Sequence, residues 1–314
     1  YLLSLESTLF YFRYYLFTIT VIYLVQNSPI FTKLFLRVLL LTLVILIFDS
    51  YIQFIFKFNL LGWPYNGYRI TSFFGDEQLL GQYLLRMVPL YFGVLAMTKN
   101  YREESVVIAL ILFVASDVLI FLSGGRTAFF LLTIISLLII LFINKYKKIR
   151  LYALIISVLI VSAITALFPD VKYRMVDRTI DQIGFNNNSF VIISTHHQAI
   201  FSTALKMFQD NPIFGHGAKL FRIKCDDPEY VVNSMIRLSE NEYIENGCST
   251  HPHNTYLQLM SELGFVGLIP VFLLFLFLLY LLIRQAFSLV NLGDKKFLND
   301  SSVIFISIII INLW

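Results

Sequence analysis

The chain has 314 residues, of which 58% are hydrophobic and only 14% charged. A soluble globular chain is nearer about 25% charged and about 45–50% apolar, while 31 Phe and 18 Tyr exclude a disordered or fibrous protein. A mean hydropathy of +0.74 leaves an integral membrane protein, long enough for roughly seven to nine spans of about 20 residues.

In chain order, apolar runs predict spans at 9–25, 34–56, 79–97, 105–122, 127–143, 151–168, 263–283 and 302–314. They are long and continuous, which favours helices over barrel strands, whose pattern alternates every second residue. The expected fold is an all-α, polytopic transmembrane helix bundle with a large helical loop. Residues 1–168 form its first spans, 169–252 the loop domain and 253–314 the last spans. Tyr1 is not an initiator Met, and the final run stops after about 13 residues, short of a bilayer. Further segments are therefore expected at both ends.

Basic residues in short loops mark the cytoplasmic side. Lys33 and Arg37, Lys99 and Arg102, then Lys145, Lys147, Lys148 and Arg150, and finally Arg284, Lys295 and Lys296 fall on one set of alternate loops. The opposite set, at 57–78, 123–126 and 169–262, is expected to face outward.

The last of these holds the polar chemistry. Residues 169–252 contain 18 of the 44 charged residues, four of the five His and both Cys, and the fifth His, His253, lies just beyond. A structureless loop of that length is uncommon. Ser194 or Thr195 can cap a helix through about Gln209, with Phe201, Ala204, Leu205 and Phe208 as an apolar stripe. That helix is expected on the membrane surface or against the spans. Asp210-Asn211-Pro212 ends it, and Gly215-His216-Gly217 marks a turn. Cys225 and Cys248 suit a disulfide in an oxidising compartment. Nearby His make zinc the other reading, although no CxxC or HxxxH spacing supports it.

Three clusters are candidates for function. Ser123-Gly124-Gly125-Arg126-Thr127 is an outward turn whose glycines permit close approach. Its Arg can grip a diphosphate through parallel hydrogen bonds, with Asp117 of the preceding span expected to hold the guanidinium. The bland alternative is an Arg snorkelling to headgroups. Residues 68–77 add Arg69, which serves either the same anion or a solvated surface. The third cluster is His251-Pro252-His253-Asn254-Thr255-Tyr256. Pro252 is placed to start a helix, putting His253 and Asn254 in its first turn. The positive helix end favours a neutral imidazole, which suits a general base; a capping His is the alternative.

His253-Asn254, nine residues, Gly264, two residues, Gly267 resembles the His-Asn-x9-Gly-x-x-Gly signature of the bacterial O-antigen ligase and polymerase family. An Arg69 loop with Phe73-Phe74-Gly75, the Ser-Gly-Gly-Arg-Thr turn and a helix ending in Asn-Pro-Ile-Phe-Gly-His-Gly precede it in the family's order. The resemblance implies a lipid-linked, integral-membrane glycosyltransferase of the bacterial inner membrane, with its active site facing the periplasm. Its donor is a saccharide on undecaprenyl diphosphate. The acceptor is a lipid A–core sugar in a ligase, or a lipid-linked repeat unit in a polymerase. By the same resemblance His253 and Arg126 are catalytic, and Arg69, Arg174, Arg178, Arg222 and Asn254 bind diphosphate or acceptor. No metal ion, cofactor or nucleotide sugar is implied, and nucleic acid is not a partner. A protein O-glycosylating branch shares these motifs. The reading of another class is a transporter of polysaccharide or lipid-linked sugar, which predicts internal repeats, broken helices and midplane polar groups. Asp49, Gln53, Arg86 and Asp117 are buried polar candidates, and no repeat is evident.

Overall fold

Each of the eight apolar runs is helical in the computed structural model, which describes residues 2–67, 69–98, 105–143, 146–182, 184–186, 189–191, 195–238, 241–291 and 297–313. Lys99, Arg102, Lys145, Lys295 and Lys296, on which part of the sidedness argument rests, lie outside the described residues, as do Tyr68 and Ser194. The helices are α1 Leu2–Asn27, α2 Pro29–Phe56, α3 Leu80–Met97, α4 Ser105–Leu122, α5 Arg126–Phe142 and α6 Lys147–Leu167. The short α7 Pro169–Lys172, a five-residue π turn at Tyr173–Asp177 and α8 Arg178–Gln182 follow. Next come β1 Gly184–Asn186, β2 Ser189–Val191, α9 Thr195–Asp210, α10 Phe221–Lys224, β3 Asn233–Leu238 and β4 Asn241–Asn246. The described chain closes with α11 Thr255–Asn291 and α12 Asp300–Asn312. Helices α1, α2, α3, α6 and α11 are long and apolar enough to cross a membrane, while α4, α5 and α12 are shorter apolar helices. The segment expected to be helical also holds two antiparallel hairpins, β1–β2 and β3–β4, the second in register Asn233↔Asn246 to Leu238↔Asn241.

Capping chemistry sets the boundaries. Ser28 interrupts α1 and α2 for a single residue; its Oγ accepts Phe31 N–H at 3.2 Å, and Pro29 takes the first helical position. Lys33 and Arg37 therefore sit in the opening turns of α2 and not in a loop. At the far end Lys57 adopts φ 69° and closes α2 through Gln53 C=O.

The chain divides into a bundle unit, residues 28–179 and 280–312, and a hairpin unit, residues 1–27, 180–279 and 313–314. In the bundle unit α4 packs on α6, and α3 packs on α12 and α4. Phe92 stacks on Phe113 at 4.1 Å, among the fully buried Leu43, Leu84 and Leu119. Two expectations are corrected here. Arg150 is not a loop cation but is only 1% exposed, and Asp117 holds Arg150, not Arg126. Arg150 Nη1 lies 2.6 Å from Asp117 Oδ2, its Nε and Nη2 donate to Ser136 Oγ, and Ser157 Oγ donates to the same carboxylate at 3.0 Å. A buried charge left unpaired is very costly, so each ion takes the other, and α4, α5 and α6 are tied together.

In the hairpin unit the buried face of α9 runs through Ile200, Ala204 and Met207, packed with Phe221, Cys225 and Tyr230. This corrects the expected stripe, since Leu205 is 39% exposed. The core lies one position round the helix because α10 and the disulfide cover that side.

Helix α11 is broken at Gly264, which has φ 61° and ψ −155°. The groups freed by the break pair with residues 212–217. His216 N–H donates to Ser261 C=O (3.1 Å) and Gly217 N–H to Glu262 C=O (2.7 Å), while Phe265 and Val266 N–H donate to Pro212 and Ile213 C=O at 2.8 and 3.1 Å. A Cβ on Gly264 would stand 2.5 Å from Ile213 C, and one on Gly215 2.4 Å from Glu262 C. Only glycine allows both the backbone conformation and the approach.

Candidate functional site

One candidate cluster lies in the bundle unit, where α4 gives way to α5. Ser123 Oγ donates to Ile120 C=O at 2.7 Å, and Gly124 takes φ 67°, so the chain reverses within Ser123–Gly125 and Arg126 opens α5. A Cβ on Gly81 of α3 would come within 2.3 Å of Ser123 Oγ, so the turn is clasped closely from below. Arg174, buried on the π turn, donates Nε to Gly124 C=O at 3.3 Å. Arg126 Nη1 donates to Arg178 C=O at 3.4 Å, and the two guanidinium charges are near enough to repel each other. Asp177, between Arg174 and Arg178, is taken by Lys172 at 3.5 Å. Among the described residues no carboxylate pairs with Arg126 or Arg178.

Arg69 reaches the same turn through its loop. Ile70 N–H donates to Leu122 C=O at 3.2 Å, and Arg69 N–H to Asn66 Oδ1 at 3.0 Å. That loop is anchored by two α2 residues whose role the sequence does not reveal. Asp49 accepts Leu60 N–H at 2.8 Å and the Ser72 hydroxyl, and Gln53 Oε1 accepts Thr71 and Ser72 N–H at 3.0 and 2.7 Å. Their one-turn spacing near the end of a span was the available signal. Arg69, Arg126, Arg174 and Arg178 thus all attach to one turn and the elements touching it.

Another candidate cluster lies in the hairpin unit and departs from expectation in one respect. Helix α11 starts at Thr255, and Asn254 is its cap: Oδ1 accepts Leu257 N–H and C=O accepts Gln258 N–H, both at 3.0 Å. His253 precedes the helix, exposed, with φ 55°. An Asn side chain caps better than a Pro-led turn that would spend it inside the helix. The His253 ring centroid is 4.2 Å from that of His251 and 5.5 Å from that of His197 on α9. Positive φ at a non-glycine residue is uncommon and clusters at functional positions.

Other polar groups of this unit are hydrogen-bonded within it. His216 is buried; Lys224 Nζ lies 3.2 Å from its Nδ1 and Met207 C=O lies 2.9 Å from its Nε2. An ammonium only donates, so Nδ1 accepts and Nε2 carries the proton. Buried Glu262 accepts Phe221 N–H and Gln258 Nε2, each at 3.3 Å. Tyr230 donates to Asp210 at 2.8 Å, and burial, then that bond, pushes its phenol up to about 12. Cys225 and Cys248 are disulfide-bonded with Cα atoms 5.0 Å apart, which removes both as metal ligands. Among the described residues no group of three or more His, Cys, Asp or Glu side chains is arranged to hold a metal ion. Arg222 is exposed on α10, in the hairpin unit.

Apolar helices long enough to span a membrane define a multi-pass membrane protein, with an arginine turn at one helix end in the bundle unit and a histidine before a capped, broken helix in the hairpin unit. The chain belongs to the O-antigen ligase family: that family's model matches residues 108–272, more than half of its length. No curated protein and no solved structure matches the chain.

Proposed function

We propose that the protein is a periplasm-facing glycosyltransferase of the bacterial inner membrane. It transfers a saccharide from undecaprenyl diphosphate to a sugar hydroxyl, lipid A–core being the acceptor in the ligase reading. The observation that supports this most directly is the approach of Arg126 to Arg178 at a glycine turn, with no carboxylate paired to either among the described residues. Like charges brought near each other favour binding a polyanion, and fixed cations aimed at a leaving group lower the barrier to its departure. Arg126 is assigned to the leaving diphosphate, with Arg69, Arg174 and Arg178 as further diphosphate contacts. Arg222 and Asn254 are assigned to donor or acceptor binding, Asn254 by holding the helix that follows His253.

His253 is assigned as general base. The acceptor oxygen attacks the anomeric carbon, the carbon–oxygen bond to the diphosphate breaks, and the hydroxyl proton passes to the imidazole. The positive N-terminal end of α11 lies beside His253 and favours the neutral ring that a base requires.

A broken membrane helix is also a transporter feature. Here the break at Gly264 has its freed backbone groups taken by residues 212–217, leaving none of those four for a coordinated ion, so the transferase reading is preferred.

Replacing His253 and, separately, Arg126 by Ala in cells that make a long surface polysaccharide tests the assignment. Expected is loss of polymer from lipid A–core with lipid-linked chains accumulating. A single repeat unit left on the core would reassign the protein as a polymerase. Unchanged polymer with both variants well expressed would remove the proposed site.

A further inference from the structure

Residues 57–65 leave the end of α2 as a tight turn that displays apolar side chains. Phe58, Leu60, Leu61 and Trp63 are 55%, 58%, 68% and 41% exposed, continuing from Ile55 and Phe56 on the helix, which are exposed as well. Apolar surface left in water forgoes roughly 25 cal/mol per Å², and large exposed apolar patches mark interaction sites.

The turn is rigid, and its hydrogen bonding explains why. Asn59 N–H donates to Trp63 C=O and Gly62 N–H to Asn59 C=O, both at 3.0 Å. Leu60 N–H donates to Asp49 Oδ1 at 2.8 Å, and Leu61 and Trp63 N–H donate to Asn59 Oδ1 at 3.0 and 2.8 Å. Tyr65 N–H donates to Lys57 C=O at 2.8 Å, and Pro64 has none to donate. Every backbone N–H from Asn59 to Tyr65 is thus satisfied inside the protein, through two side chains, Asp49 and Asn59, that are 0% and 1% exposed. A loop in water has no need of this, because water serves its donors. A loop in a water-poor medium does need it.

Lys57 and the aromatic residues suggest a depth. The Lys57 ammonium stands over the Phe54 and Tyr65 rings at 5.2 and 4.7 Å. Trp, Tyr and Lys at the end of a span are typical of the headgroup level. The carbonyls of Leu60 and Leu61 accept no hydrogen bond among the described residues, which places the tip where interfacial water and headgroups can donate.

We propose that residues 57–65 insert into the membrane interface where α2 ends, seating Phe58, Leu60, Leu61 and Trp63 at the headgroup–acyl boundary. The occupant of this apolar surface is lipid. The inserted turn also fixes the level of Arg69, four residues beyond it.

Trp63 reports on this directly, because the only other tryptophan in the chain is Trp314. The full chain carrying W314F is placed in phospholipid nanodiscs. Its emission is then quenched either by phospholipids brominated high on the acyl chain or by acrylamide in the water. The inserted turn loses more emission to the bromolipid than to acrylamide, and loses less when the bromines are moved toward the chain end. Leu60→Gln with Leu61→Gln, which keeps both backbone donors, shifts the emission to the red and raises acrylamide quenching. Stronger quenching by acrylamide, or insensitivity to both quenchers, overturns the proposal. The readout is depth and not transfer, so either result is independent of the proposed function.

Discussion

Arg126 and Arg178 differ in how they take part, although both carry the same charge. Arg178 offers its main-chain carbonyl to Arg126, and that contribution survives any side-chain replacement. Arg178→Ala therefore removes a charge without removing a support. Transfer from the lipid-linked donor is expected to fall about tenfold, the loss of one charge-assisted hydrogen bond worth about 1.5 kcal/mol, with the melting temperature in detergent unchanged. A fall in melting temperature equal to that of an unfolding variant would show that Arg178 is structural. Arg150 is the opposite case. Arg150→Met strands Asp117 in the bundle, and loss of one partner of a buried pair costs about 3–5 kcal/mol. A collapse in thermal stability is expected, largely restored by adding Asp117→Leu; a single variant as stable as the parent would contradict the pairing. Sequence reasoning gave Asp117 to Arg126 and read Arg150 as a loop cation, whereas Asp117 pairs with Arg150. A cation three residues into a span and one at a turn look equally basic, and only packing separates them.

At the level of elements, the motif Asn211-Pro212-Ile213-Phe214-Gly215-His216-Gly217 and the glycine at 264 are two sides of one contact. In sequence they lie some fifty residues apart and look like an ordinary turn and an ordinary helix glycine. Their relation depends on backbone groups, which leave no trace in residue chemistry. Gly264→Ala brings a Cβ to 2.5 Å from Ile213 C at φ 61°, so it is expected to destabilise by more than about 1 kcal/mol. Limited proteolysis between α9 and α10 should become faster in that variant. Unchanged protection would mean that the loop does not depend on the break. The eight helices were legible because continuous apolarity is a strong signal. The two hairpins were not. Their strands are three and six residues long and mostly polar, so they offer little alternation to read. The start of α11 was misplaced by three residues because Pro252 and Asn254 are both sound helix-start signals, and the structure uses the second.

On the scale of the whole molecule, the chain's two compact units are not its sequence halves. The first helix belongs with residues 180–279, as Lys219 over the Tyr11 ring at 5.4 Å illustrates within that unit. The Cys225–Cys248 bridge closes a sequence separation of 23 in the same unit, and a loop of that size contributes about 3 kcal/mol in the chain-entropy account. Replacing both cysteines by Ser is therefore expected to lower the unfolding temperature, most visibly in hydrogen exchange of α9 and α10, while exchange in α4 and α6 stays as it was. Equal loosening of both sets would show the units to be one cooperative body.

The pairing of residues 212–217 with 261–266 also limits how this chain can vary over time. Four backbone hydrogen bonds are matched donor to acceptor along two segments, and Gly215, Gly264, His216 and Glu262 fill fixed places beside them. An added or deleted residue in either segment would shift the partners out of step together. A one-residue insertion in either segment is therefore expected to be tolerated less well than a substitution at the exposed Ile213 or Phe214.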